Sequence, residues 1–278
     1  MKIDGTAIAN TILPRLERSV NTLLEKHIHP HLAIVLVGND LSSSIYVGIK
    51  QKIGKKIGAK VSVFKLLPSI TSSELIHLIN LLNYEQSVHG IIIQRPVPIV
   101  ISNQQLNKLV IHTKDVDGFH PQSLYTSPIA LAVLDIIKWA YHNKRNTGEF
   151  ISWLKKQNIL IIGRGETGGY PIIKYFKKLK IEVRIGHTQS KNIYKLSKKS
   201  SIIISCVGKP NIVRHNMVNK ETMIIGIGLH EENNKLLPDY DQNIISKNVS
   251  FYTPVPGGVG PVNVAYLFKN LVDAARKA

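Results

Sequence analysis

The chain has 278 residues, 44% of them hydrophobic, with 36 Lys+Arg against 18 Asp+Glu and a formal net charge of +18. That apolar fraction supplies one large core or two ordinary ones and excludes intrinsic disorder. The one cysteine, Cys206, excludes an internal disulfide framework and a cysteine-based zinc site, and favours the cytosol.

The opening MKIDGTAIANTILPRLER has no apolar run ahead of its charges, so no signal peptide is expected; no run of about 18 apolar residues predicts a membrane span. Ile8, Ile12, Leu16, Val20, Leu23 and Leu24 share one helical face, with Pro14 expected to bend or restart that helix. Apolar β-branched runs then recur at 32–37, 61–66, 88–93, 158–162, 181–185, 201–206, 223–227 and 249–252. Segments of helical period lie between most of them, such as 72–82 with Leu75, Leu78, Ile79 and Leu82 on one side, and 128–142 with Ala130, Leu134, Ile137 and Tyr141. Strand alternating with helix predicts an α/β fold with parallel sheets covered on both faces. We divide the chain at 118/119, and a final helix over 262–276 is expected to return to the first unit.

After the strand NILII comes Gly163-Arg-Gly165-Glu-Thr-Gly168-Gly169, a GxGxxG turn that opens into a helix over 170–179. Glycines tighten such a turn and let backbone N–H groups approach a pyrophosphate, and the helix N-terminus favours the negative charge. The next strand ends in Gly186, His187 and Thr188 with Lys191 close behind, and its acidic residue, Glu182, sits at the wrong end to hold a ribose 2′-hydroxyl. With Arg164 inside the turn, this favours NADP over NAD. From Pro171 to Lys199 there are nine Lys/Arg and one Glu, most of which are expected to solvate helix faces.

In LSSSIYVGIKQK, Ser42 to Ser44 offer N-cap residues, which would put Tyr46 and Lys50 four apart on one helix face. An aromatic able to stack on a flat ring is thereby paired with an amine whose pKa falls if it is buried. GIIIQRPVP delivers Gln94 to the C-terminal end of a buried strand, where α/β ligand sites form. KDVDGFHP holds Asp115 and Asp117 in a segment that also reads as a plain turn; with no EF-hand ladder and no HExxH, a metal site is rejected. TPVPGGVGP suits either a hinge or a ligand loop.

Together, IDGTAIA, YVGIK, GIIIQRPVP, KDVDGFHP, IIGRG, VGKPNIV and TPVPGGVGP resemble, in order and spacing and almost end to end, the bifunctional methylenetetrahydrofolate dehydrogenase/cyclohydrolase (FolD) family. The resemblance implies two lobes around a cleft. Residues 1–118, completed by 262–278, would form the folate-binding α/β lobe, and 119–261 a Rossmann-type NADP lobe. It implies a cytoplasmic homodimer that acts on tetrahydrofolate derivatives. Methylenetetrahydrofolate would be oxidised with NADP and the methenyl product hydrolysed to 10-formyltetrahydrofolate. Lys50 would be the essential cyclohydrolase residue, hydrogen-bonded to Gln94. Tyr46 would stack on the folate and Asp117 would accept from the pterin's amino edge. Gly163, Arg164, Gly165, His187, Thr188 and the Leu229 backbone would line the NADP site, and Pro256, Gly257 and Gly258 would close on substrate.

The chain departs from the family's pattern at Arg95 (commonly Leu), Ser123 and Tyr125, Gly165 (usually Ser), Gly226 (Asp) and Asn263 (Thr). Two alternatives accompany this reading: loss of one activity through the central-lobe changes, and a basic nucleic-acid-binding protein. Against the latter stand 6% aromatic residues and the lack of a recognised nucleic-acid motif.

Overall fold

The computed structural model describes residues 1–278 apart from Thr188, Lys191 and Asn234. The chain divides into two compact units, Asn10–Pro128 with Val264–Ala278 and Met1–Ala9 with Ile129–Asn263. Residues 1–9 thus group with the second half of the chain, unlike in the division at 118/119. The reason is strand pairing: Ile3 N donates to Tyr252 O at 2.8 Å and Tyr252 N to Met1 O at 3.1 Å.

The first cut falls inside α1 (Gly5–Leu24), which runs through Pro14 as one helix. The expected restart does not occur. A single missing N–H costs little against the apolar face of Leu13, Leu16, Val20 and Leu23, all buried.

In the first unit, β1 (His31–Val37), α2 (Leu41–Ile57), β2 (Lys60–Leu66), α3 (Ser72–Tyr84), β3 (Gly90–Ile93) and α4 (Asn103–Leu109) follow in order. The three strands are parallel in the order β2-β1-β3, with Ala33 of β1 opposite Ser62 and Ile91. As the central strand, β1 is buried at every position, which is what its unbroken apolarity encodes. Leu75, Ile79 and Leu82 of α3 pack with Ala33, Val35, Val37, Ile91 and Ile93 into one core. A capping box starts α3: Glu74 N donates to Thr71 Oγ1, and Thr71 N to Glu74 Oε2.

Asp40, and none of the serines, caps α2; its carboxylate accepts from Ser43 N at 2.7 Å. Standing just before the first helical residue, it intercepts the free N–H that a serine inside the first turn cannot reach. The serine hydroxyls turn elsewhere, Ser44 to Asp40 O and Ser43 to Arg95 O.

The second unit carries α5 (Pro128–Asn143), α6 (Phe150–Lys155), β4 (Ile159–Ile162), α7 (Gly169–Lys178), β5 (Arg184–Gly186), α8 (Ile193–Lys198), β6 (Ile202–Ser205), β7 (Met223–Gly226), β8 (Leu229–Glu232), β9 (Lys235–Pro238), α9 (Gln242–Ile245) and β10 (Phe251–Tyr252). Its parallel sheet has the order β10-β7-β6-β4-β5. Counted within that sheet, the order is 2-1-3-4-5, a doubly wound arrangement whose switch point lies between β4 and β6. Strands β4, β6 and β7 are buried throughout. β5 begins at Arg184, later than expected, because the chain first closes α7: Lys180 adopts φ 56° and Ile181 N donates to Phe176 O. The antiparallel pair β8-β9 has no counterpart in the sequence reading, since its LHEE carries no apolar alternation.

The C-terminal helix α10 (Val259–Ala275) returns to the first unit from Val264 onward, where Asn270 Nδ2 donates to the carbonyls of Val116 and Thr126, both at 2.9 Å. Among the described residues no helix is long and apolar enough to cross a membrane.

Candidate active site

In the first unit α2 sets Tyr46 and Lys50 one turn apart. Lys50 is 7% exposed, and its Nζ donates to Gln94 Oε1 at 2.7 Å. The Gln94 amide is fixed from both sides: its backbone N continues the sheet to Val35 O at 2.9 Å, and its Nε2 donates to Arg95 O at 3.2 Å, leaving the oxygen for the lysine. Burial holds the Lys50 ammonium below its ordinary pKa, and the Asp117 carboxylate opposes that shift. Burial likewise pushes the Asp117 carboxyl up, while Lys50 pulls it down. Burial also raises the hydroxyl of the half-buried Tyr46.

The two aspartates of KDVDG divide their work. Asp115 organises the turn, accepting from Gly118 N at 3.2 Å and His120 N at 2.7 Å. Asp117 instead sits in the electrostatic group with Lys50. A buried amine that can give up its proton, an amide that orients it and a carboxylate offering two adjacent acceptors are equipped for proton transfer beside a ligand with paired N–H donors.

In the second unit the glycine turn leaves the C-terminal end of β4. Gly163 has φ +100°, and a Cβ there would meet Cys206 O at 2.7 Å; a Cβ on Gly169 would stand 2.0 Å from Gly163 O. Gly165 has no neighbour within 4 Å of a built Cβ, so the turn is open at the residue where the pattern usually has Ser. Arg164 is exposed. An open glycine turn at the switch point, leading into the ten-residue α7, fits a dinucleotide's pyrophosphate.

β5 ends without a carboxylate, and His187 Nδ1 accepts from Gln189 N at 3.3 Å, which puts the proton of the neutral ring on Nε2. Thr188 and Lys191 lie outside the described residues. The Leu229 main chain lies against the loop after β6, its carbonyl oxygen 2.8 Å from a Cβ built on Gly208.

Asp239 went unnoticed in the sequence. It is fully buried and accepts from Ser205 Oγ, Val207 N, Gly208 N and Lys209 N, at 2.5, 2.9, 2.7 and 3.0 Å, so one carboxylate pins the loop at the end of β6. No local pattern in LLPDYD points to this, because its partners lie 30 to 34 residues earlier. Burial, and then the Asp239 charge, drives the Cys206 thiol far up, which leaves it a poor nucleophile.

Pro256, Gly257 and Gly258 belong to the second unit. Their loop is held by Gly5 N donating to Gly257 O at 2.8 Å and by the Gln242 amide, which bonds both the N–H and the C=O of Val255. Among the described residues no group of three or more His, Cys, Asp or Glu could hold a metal ion.

Two family models match the chain: the catalytic domain of tetrahydrofolate dehydrogenase/cyclohydrolase over residues 3–117, and its NAD(P)-binding domain over 149–278. The chain is 35% identical over 284 residues to the bifunctional protein FolD of Rickettsia canadensis, covering 98% of this chain and 95% of the relative. It is 33% identical to that of Nautilia profundicola, covering 99% and 96%. The solved structure of the bifunctional FolD enzyme from Campylobacter jejuni matches with a TM-score of 0.89 and 32% identity, covering 100% of this chain and 99% of that one.

Proposed function

This chain belongs to the tetrahydrofolate dehydrogenase/cyclohydrolase family and is a bifunctional FolD enzyme of one-carbon metabolism, and we propose that Lys50, Gln94, Tyr46 and Asp117 carry its folate chemistry with NADP as its cofactor. The observation that carries the residue assignment is the hydrogen bond from the buried Lys50 to Gln94, within electrostatic reach of Asp117.

NADP, when bound, accepts the hydride that turns 5,10-methylenetetrahydrofolate into its methenyl cation. Gly163, Arg164, Gly165, His187, Thr188 and the Leu229 backbone would hold it, with Arg164 and the carboxylate-free end of β5 favouring a 2′-phosphate. Asp117 accepts hydrogen bonds from the pterin's adjacent N–H donors, and Tyr46 stacks on its ring. These contacts set the position of the donor carbon, which is most of what hydride transfer needs from a protein.

For hydrolysis, neutral Lys50 takes a proton from water as its oxygen bonds to the methenyl carbon. The ammonium so formed returns a proton to the pterin nitrogen as the carbon–nitrogen bond breaks, and the added hydroxyl gives its remaining proton to solvent as the formyl C=O forms, giving 10-formyltetrahydrofolate. Burial lowers the lysine pKa and so makes the neutral amine easier to reach, and Gln94 holds the amine in line. The same reading has the enzyme acting in the cytosol as a homodimer.

The test is to supply methylenetetrahydrofolate with NADP⁺ or NAD⁺ and follow methenyl absorbance. Methenyl formation faster with NADP⁺, then loss by hydrolysis, is expected. Folded protein that forms none with either cofactor would overturn the dehydrogenase reading, and a faster reaction with NAD⁺ would overturn the choice of NADP.

A further inference from the structure

Resting on the assignment of Asp117 to the folate site, we propose that Arg95 is a positioning residue of that site: it supplies a fixed counter-charge to Asp117, and α4 is its anchor. The family commonly has Leu at this position, so the cation is a departure from its usual pattern.

The side chain is held on three sides. Its Nη2 donates to Asn107 Oδ1 at 2.6 Å and its Nη1 to Asn103 Oδ1 at 3.4 Å, both on α4, and the guanidinium lies 5.0 Å over the ring of Phe119. A planar cation with a stacked face and two amide acceptors loses its rotamer freedom once and then stays in place. Arg95, Asn107, Phe119, Asp115 and Asp117 line one small cavity. The Arg95 main chain is tied to the same group, its carbonyl accepting from Gln94 Nε2 and Ser43 Oγ.

The charged groups facing Asp117 come from three places. Burial pushes its carboxyl up most strongly and Lys50 on α2 draws it down; Asp115 on the same turn adds to the rise, Arg95 after β3 draws it down in smaller measure, and α4 presents the uncharged Asn107. The two cations differ in kind. Lys50 is buried, and as the proton-transfer residue it spends part of each cycle neutral, when it offers Asp117 no counter-charge. The guanidinium does not deprotonate in proteins, so Arg95 still offers Asp117 a counter-charge through the neutral phase of Lys50.

The experiment follows the carboxyl carbon of Asp117 by NMR against pH in full-length protein labelled with ¹³C-aspartate, the resonance being assigned by its loss in Asp117→Asn. Arg95→Leu is expected to raise the titration midpoint by about one pH unit, and Arg95→Lys to stay near the wild type. An unchanged midpoint in folded Arg95→Leu overturns the proposal, as does an equal rise in Arg95→Lys, since packing and not charge would then be responsible. Should Arg95→Leu fail to fold, Asn107→Ala loosens the anchor and is expected to move the midpoint part of the way up; no movement overturns the proposal. The titration needs no folate, so a wild type inactive in the methenyl assay would overturn the functional reading and leave this result standing on its own.

Discussion

The ring of Tyr240 fills the space that a side chain at residue 226 would need. A Cβ built on Gly226 would stand 2.7 Å from Tyr240 Cε1 and 2.8 Å from its hydroxyl oxygen. Tyr240 is 2% exposed, and its hydroxyl donates to Thr253 O at 2.5 Å, while Gly226 N donates to Thr253 Oγ1 at 2.8 Å. The glycine that departs from the family's Asp is therefore half of a packed pair, and its partner joins β7 to the chain just after β10.

Gly226→Ala is expected to destabilise the protein by about 1–3 kcal/mol, because the ring is wedged and its hydroxyl is anchored, so neither can give way cheaply. Urea unfolding measures the loss. Tyr240→Phe, which keeps the wedge and removes the Thr253 bond, should cost less, about 1 kcal/mol.

Asp239→Asn should cost about 2–4 kcal/mol, since an amide replaces one of the two oxygens that receive Ser205, Val207, Gly208 and Lys209 and turns N–H donors toward N–H donors. The loop at the end of β6 would loosen, so weaker nicotinamide-dinucleotide binding, read by fluorescence titration, is expected together with the lower unfolding midpoint. Unchanged unfolding would remove Asp239 as the loop's anchor.

Lys50→Met should lower methenyl hydrolysis by about 100-fold or more, the contribution of a positioned proton-transfer group. Folate binding, measured separately by equilibrium titration, should survive through Tyr46 and Asp117. Hydrolysis at the wild-type rate would remove Lys50 from the mechanism.

The same lysine gives stability a pH dependence of known sign. Its folded-state pKa lies below the ordinary 10.5 because burial disfavours the ammonium. Between those two values the unfolded chain binds a proton that the folded one does not, so the Lys50 contribution to stability rises with pH through that window. Below the folded value the penalty is complete and flat. Denaturation curves from pH 7 to pH 10 should therefore show a stability gain in the wild type that is missing from Lys50→Met.

By itself the sequence determined the layer plan. Runs such as ILII and IIIS, alternating with helical segments, fit strands buried on both faces of a parallel sheet, and the helical spacing of Leu75, Ile79 and Leu82 places them on the core side of α3. It also determined the glycine turn and the one-turn spacing of Tyr46 and Lys50, because strand period, helix period and glycine's conformational freedom are local properties. The tertiary structure decided what local pattern cannot carry. It brought Gln94 to Lys50 across 44 residues, Asp239 to the β6 loop and Tyr240 to Gly226, and it chose Asp40 over three serines as the cap of α2. It moved residues 1–9 into the second unit through the pairing of Ile3 with Tyr252. Each of these depends on which strands become neighbours, and a polar side chain's partner is set by that order, not by the residues beside it in the chain.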